Sequence, residues 1–133
     1  MLVIGIDFDG TVVVHDYPRI GQHIGAVPWI KKAQELGAKF VLNTMRNKEY
    51  LAEAVQWFED NGIELWGVNR NPTQRSWTTS PKVYANLYID DAALGCPLVI
   101  PDIDGFRPFV DWDIVGPMLI EICEQKKGKN NVS

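Results

Sequence analysis

The acids of this chain collect where apolar runs end, and that placement is where its chemistry is to be sought. Asp7 and Asp9 close a short apolar run that begins at Met1, and Gly10 and Thr11 follow at once. Glycine permits the turn that would let both acids face one site. Like charges held that close repel, so a metal ion or a shared proton belongs there, unless the pair is only a solvated turn after a buried strand. A second acid pair, Asp90-Asp91, ends the apolar stretch at residues 86–89. A third apolar run, residues 39–43, ends in Thr44, Met45 and Arg46. Arg46 either makes a charge-assisted contact to an anionic substrate or is an ordinary surface arginine.

The elements that must position these side chains alternate in type. The opening run reads as a strand buried on both faces, the kind found inside a parallel sheet. Val12, Val13 and Val14 form a β-prone stub before a polar loop at 15–21. His15, Tyr17 and His23 read as ordinary loop residues. The spacing predicts a helix over 27–36, with Pro28 in its first turn and Gly37 past its end. Residues 39–43 are the second strand. Asn47 is placed to cap a helix that runs to Asp60 and stops at Asn61-Gly62. Its residues Leu51, Ala54, Val55 and Phe58 make one apolar stripe.

Residues 63–68 give a third strand, and the polar loop at 69–80 carries Arg70 and Arg75. Loops after parallel strands hold specificity, so both arginines are candidates for substrate contact. Residues 86–89 are a fourth strand and 98–100 a brief fifth. Asp102-Ile103-Asp104-Gly105 repeats the opening acid pattern but continues as Phe106-Arg107-Pro108, and reads as a decoy. The last helix is expected to begin near Asp111 or Asp113 and to bury Ile114, Val115, Met118, Leu119 and Ile122. Residues 1–125 then form one domain, and 126–133 a flexible tail. Strands alternating with helices predict an α/β domain with a mostly parallel sheet.

Asp7-Phe8-Asp9-Gly10-Thr11-Val12-Val13 resembles the first motif of the haloacid dehalogenase (HAD) superfamily, an Asp-x-Asp-x-Thr pattern after a hydrophobic strand. Thr44 fits its second motif, Lys82 the third and Asp90-Asp91 the fourth, in the family's order. The lead from Pro81-Lys82 into Ile89-Asp90-Asp91 also resembles a group of small bacterial HAD proteins. The resemblance implies a three-layer α/β/α, Rossmann-like domain with a mostly parallel five-stranded sheet of order 5-4-1-2-3. The gaps on either side of Thr44 leave no room for a cap domain.

The activity so implied is that of a Mg2+-dependent phosphatase, hydrolysing a phosphate monoester through an aspartyl-phosphate. Asp7 would be the nucleophile and Asp9 the general acid and base. Thr44 and Lys82 would hold the phosphoryl oxygens, with Gly10, Thr11 and Arg46 also touching substrate. Mg2+ would take the Asp7 carboxylate, the Asp9 carbonyl and the Asp90-Asp91 pair, with Asp91 favoured as the direct ligand.

Composition narrows the partners. The chain has 133 residues and a formal net charge of −4, which disfavours nucleic acid. The phosphorylated substrate that the resemblance implies is expected to be a small molecule rather than a macromolecule. No run approaches the roughly 18 apolar residues of a membrane span. Cys96 and Cys123 lack disulfide or metal spacing and read as reduced thiols of a cytoplasmic protein. Five tryptophans leave scope for an aromatic self-association surface and hence a homo-oligomer. A phosphorylation-receiver domain is a rival, although its lysine comes after its acids, whereas Lys82 precedes Asp90. A catalytically silent HAD-fold binding protein is the other.

Overall fold

The computed structural model describes residues 1–131, with side chains through Gly128. Strand β1 (Val3–Ile6) is buried along its whole length and lies between β2 (Lys39–Leu42) and β4 (Leu87–Ile89). Strand β3 (Leu65–Val68) flanks β2, giving one four-stranded sheet of order β3-β2-β1-β4, parallel throughout. Register is set by pairs such as Ile6 with Leu42 on one side and with Ile89 on the other. The carboxyl ends of β1, β2 and β4 therefore lie side by side.

Helix α1 (Ala26–Glu35) links β1 to β2, and α2 (Lys48–Asp60) links β2 to β3. Pro28 sits in the first turn of α1, where a missing N–H costs nothing, and Gly37 takes the left-handed conformation (φ 97°) just past its end. Asn47 does stand at the N-cap of α2, but its side chain makes no capping hydrogen bond. Both crossovers step across the sheet in one direction, so their right-handedness places both helices on one face. Ile30, Phe58 and Trp57 from these helices pack with Ile4, Ile6, Phe40 and Leu42 of the sheet.

Helix α3 (Trp112–Asn131) joins that same core through Trp112, Val115, Leu119, Ile120 and Cys123. The opposite face, carrying Val3 and Val41, is covered by Val83, with Trp66 and Ala85 beside it. The expected α/β/α layering is thus corrected. The segment between β3 and β4 supplies the second cover, and its helical content is one 3-10 turn, Gln74–Ser76.

Three further expectations change. The five-stranded sheet does not form: β5 (Leu98–Val99) pairs antiparallel with β6 (Phe109–Val110) as a separate ribbon. Ile114, Met118 and Ile122 are 50%, 51% and 39% exposed, because the buried stripe of α3 is offset by one residue, through Val115 and Leu119. Helix α3 continues through Asn131, so residues 126–131 are not a tail, and Val132 and Ser133 lie outside the described residues. Among the described residues no helix is long and apolar enough to cross a membrane.

Helices α1 and α3 meet where Gly116 faces Trp29: a Cβ at Gly116 would lie 2.3 Å from the indole ring. Alanine would gain about 1 kcal/mol of helix propensity, but forcing extra volume into a close-packed contact costs about 1–3 kcal/mol. Gly116→Ala should therefore lower the melting temperature by a few degrees. Combining it with Trp29→Leu should recover part of that loss beyond additivity, measurable by thermal denaturation of the double-mutant cycle.

Candidate metal and phosphoryl site

The loop after β1 is built to turn the opening acids into a site. Gly10 takes φ 78°, and a Cβ there would lie 2.4 Å from the Asp91 carboxylate. Only glycine lets the β1 loop and the end of β4 approach this closely. Thr11 is fully buried. Its hydroxyl oxygen accepts the Asp91 backbone N–H at 3.1 Å and lies 3.2 Å from an Asp7 carboxylate oxygen and 3.4 Å from one of Asp91. Behind the loop, the buried Trp112 indole donates to the Thr11 carbonyl at 2.7 Å, and the Val110 N–H donates to the Gly10 carbonyl at 2.9 Å. Gly10 and Thr11, expected to touch substrate, fix the acids in place.

Carboxylate oxygens of Asp7, Asp90 and Asp91 all lie within 4.8 Å of one another. Burial, reinforced by the Asp90 and Asp91 charges, pushes the Asp7 carboxyl up to about 8. An all-oxygen, acidic donor set converging from two strand ends fits a hard divalent cation such as Mg2+, which takes carboxylates and keeps several waters. Asp7, Asp90 and Asp91 would hold it. The carboxylate of Asp9 is not part of this group.

Asp9 has a different partner. Arg46 clamps it end to end, Nε to Oδ2 and Nη2 to Oδ1, each at 2.7 Å. The remaining Arg46 donors go to the carbonyls of Pro18, Tyr50 and Arg19. Its guanidinium also lies 5.0 Å from the Phe8 ring and 5.1 Å from the Tyr17 ring. All five N–H groups of the guanidinium are used, and the Arg46 side chain is 1% exposed. The expectation that Arg46 binds substrate is corrected: it has no donor left to offer. Both Asp9 oxygens are thus occupied by charge-assisted bonds from one guanidinium.

Thr44, at the end of β2, sits in the same depression as Asp7, Asp9, Asp90 and Asp91. Its backbone N–H is held by the side chain of Asn69, a residue with left-handed φ of 52°, and its hydroxyl oxygen accepts the backbone N–H of Arg46. The hydroxyl proton of Thr44 thus remains available for a ligand. Lys82 is not brought to the acids. Among the described residues its ammonium forms no ion pair with a carboxylate, and it stands 5.6 Å over the Tyr88 ring in an adjoining depression that also contains Thr44 and Asp90. His15 and Tyr17 line the acid depression; His23 packs on Trp57 instead.

Sequence reasoning passed over Arg107. It lines the acid depression beside His15, with Nη1 2.9 Å from the imidazole Nε2. Its only signal was a cation just after the acid-rich repeat at 102–105. Asp102 and Asp104 are exposed in the β5–β6 loop and take no part in the acid cluster, in agreement with their reading as a decoy.

Fold and site together define an α/β protein with an acidic cluster at the carboxyl ends of central parallel strands. No protein-family model matches the chain, and no curated protein matches it. Among solved structures it is similar to that of a conserved protein from Bacteroides thetaiotaomicron, at 36% identity over 90% of each chain and a TM-score of 0.73. The chain belongs to the same family as that protein, whose description names no activity.

The cluster makes stability depend on pH and metal. With its carboxyl at about 8 in the fold against 3.8 ordinarily, Asp7 keeps a proton in the folded, metal-free protein that the unfolded chain gives up. Its stabilising contribution is complete below the lower value and is lost as pH rises to the higher one. The melting temperature of chelator-treated protein should fall over that window, and Asp7→Asn should flatten the fall. Mg2+ at a hundredfold excess over Kd should add about 2.7 kcal/mol, several degrees of melting temperature. Asp91→Ala should remove that shift, whereas Asp104→Ala should leave it. A second test isolates the clamp. Arg46→Ala strands Asp9 beside Asp7 and should cost about 2–4 kcal/mol in denaturant unfolding.

Proposed function

We propose that this protein is a HAD-type phosphatase, a Mg2+-dependent hydrolase of phosphate monoesters that works through an aspartyl-phosphate on Asp7. One observation carries the reading: Asp7, Asp90 and Asp91 converge beside the free hydroxyl of Thr44 at adjoining strand ends. The strand order β3-β2-β1-β4 supports it, since it matches four positions of the expected HAD order. So does the order of Asp7, Thr44, Lys82 and Asp90-Asp91 along the chain. The divalent ion, when bound, offsets negative charge on the phosphoryl oxygens and on the acids. One Asp7 carboxylate oxygen attacks phosphorus as the bond to the ester oxygen breaks, and the alcohol leaves. Water then cleaves the acyl phosphate and returns Asp7. The Thr44 hydroxyl donates to a phosphoryl oxygen.

In this reading Asp9 must give a proton to the leaving ester oxygen and then take one from the attacking water, which requires Arg46 to release one of its two bonds. That clamp favours a second reading, in which the aspartyl-phosphate forms but is lost slowly, as in a receiver or a binding protein. The two separate on one measurement. Wild-type protein with Mg2+ should release phosphate from an aryl phosphate over many turnovers, and Asp7→Asn should reduce the rate by at least about a thousandfold. A single burst followed by a stable acid-labile phosphoprotein would select the receiver-like reading. Near-wild-type turnover by Asp7→Asn would remove Asp7 as nucleophile.

A further inference from the structure

We propose that the segment between β3 and β4 forms a second, anion-binding subsite, so that the substrate is a small phosphate ester bearing another anionic group remote from the ester. The substrate assignment rests on the phosphatase reading; the subsite itself does not. The first observation is one of charge. The chain has 17 acidic residues against 13 basic ones, yet no carboxylate occurs between Glu64 and Asp90, where Arg70, Arg75 and Lys82 all fall. Among the described residues none of these three cations is paired with a carboxylate.

The second observation is continuity. The acid depression and the one beside it share Thr44, Asp90, Asn43 and Ala92. That neighbour, which holds Lys82, shares Asn69, Pro81 and Val83 with a third depression. The third is lined by both arginines and by Thr78, Thr79 and Ser80, and by no acid. One surface therefore runs from the acids past Lys82 to a pair of guanidiniums among hydroxyl groups. Guanidinium forks suit carboxylates and phosphates equally.

The third observation is that this irregular segment is held rigidly. Asn71 and Gln74 are 2% and 8% exposed, unusual burial for amides. Asn71 donates to the Tyr84 carbonyl at 3.1 Å and accepts from the N–H and hydroxyl of Thr73 at 3.0 and 2.8 Å. Gln74 donates to the carbonyls of Ser80 at 3.2 Å and Lys82 at 2.5 Å, and accepts the Tyr84 N–H at 2.8 Å. Arg70 and Arg75 flank these anchors and Lys82 is tied directly to one. A preorganised loop loses little backbone entropy on binding, so its cations are presented from fixed backbone positions.

The test uses the full chain with Mg2+ and a series of alkyl monophosphates of graded length, ending in a phosphate, a carboxylate or a neutral hydroxyl. At the length that spans the surface, kcat/KM for an anionic terminus should exceed that for the hydroxyl by about tenfold. The double variant Arg70→Ala/Arg75→Ala should abolish the preference while leaving the neutral ester unchanged. The phosphate and carboxylate arms show which anion is favoured. Equal kcat/KM for all termini at every length, or equal losses for all in the variant, would overturn the proposal. Turnover of phosphorylated oligonucleotides but of none of the small bis-anions would overturn the small-substrate assignment. If no ester is hydrolysed, calorimetric titration of the Asp7→Asn protein with the alkyl bisphosphates decides the subsite separately. About tenfold weaker binding in the arginine variant sustains it, and unchanged binding removes it.

Discussion

Like charges brought together in a half-buried space repel unless something compensates, and Asp7, Asp90 and Asp91 are brought together by the backbone itself. Parallel pairing of β1 with β4 aligns Ile6 with Ile89, and the acids are the residues that follow. Gly10 allows the close approach, Thr11 ties Asp7 to Asp91, and Trp112 and Val110 hold the loop from behind. The ribbon and the start of α3 thus serve the acids although they contribute no ligand to them. Compensation inside the fold is incomplete, as the raised Asp7 carboxyl records.

Asp9 illustrates the other solution to the same problem. Two residues away from Asp7, it is neutralised by a guanidinium with no donor to spare. Arg46 also binds the carbonyls of Pro18 and Arg19, so the loop after β1 is fastened to the end of β2 through the same side chain that holds Asp9. Any motion that freed Asp9 would loosen this loop. The hold on Asp9 and the anchoring of the loop beside the depression are thereby linked in one residue.

Much of this was legible in the sequence because apolar runs of strand length ended in acids or in Thr44, and strand ends are where an open α/β sheet gathers its ligands. The helices at 26–35 and 48–60 were legible from their flanking glycines and apolar spacing. What escaped depended on neighbours distant in sequence. Nothing local distinguishes Arg46 as a buried clamp from Arg46 as a substrate contact, since its partner lies 37 positions away. Helix α3 has apolar residues on more than one face, so the buried stripe was settled only by packing against α1. The second cover of the sheet was unreadable for a related reason: an irregular loop can replace a helix only if its buried amides find partners, as Asn71 and Gln74 do.

The contact between Thr11 and Asp91 spans 80 residues of chain. The acids therefore do not exist as a cluster in the unfolded protein or in any short fragment, and they meet only when β4 docks. Contacts of such separation form late, after the cost of closing a long loop has been met. An ion held by these acids would have little to grip in the folding transition state. It would act on the rate at which the native protein comes apart, as a late-fastening clasp, and leave the rate of its assembly nearly unchanged.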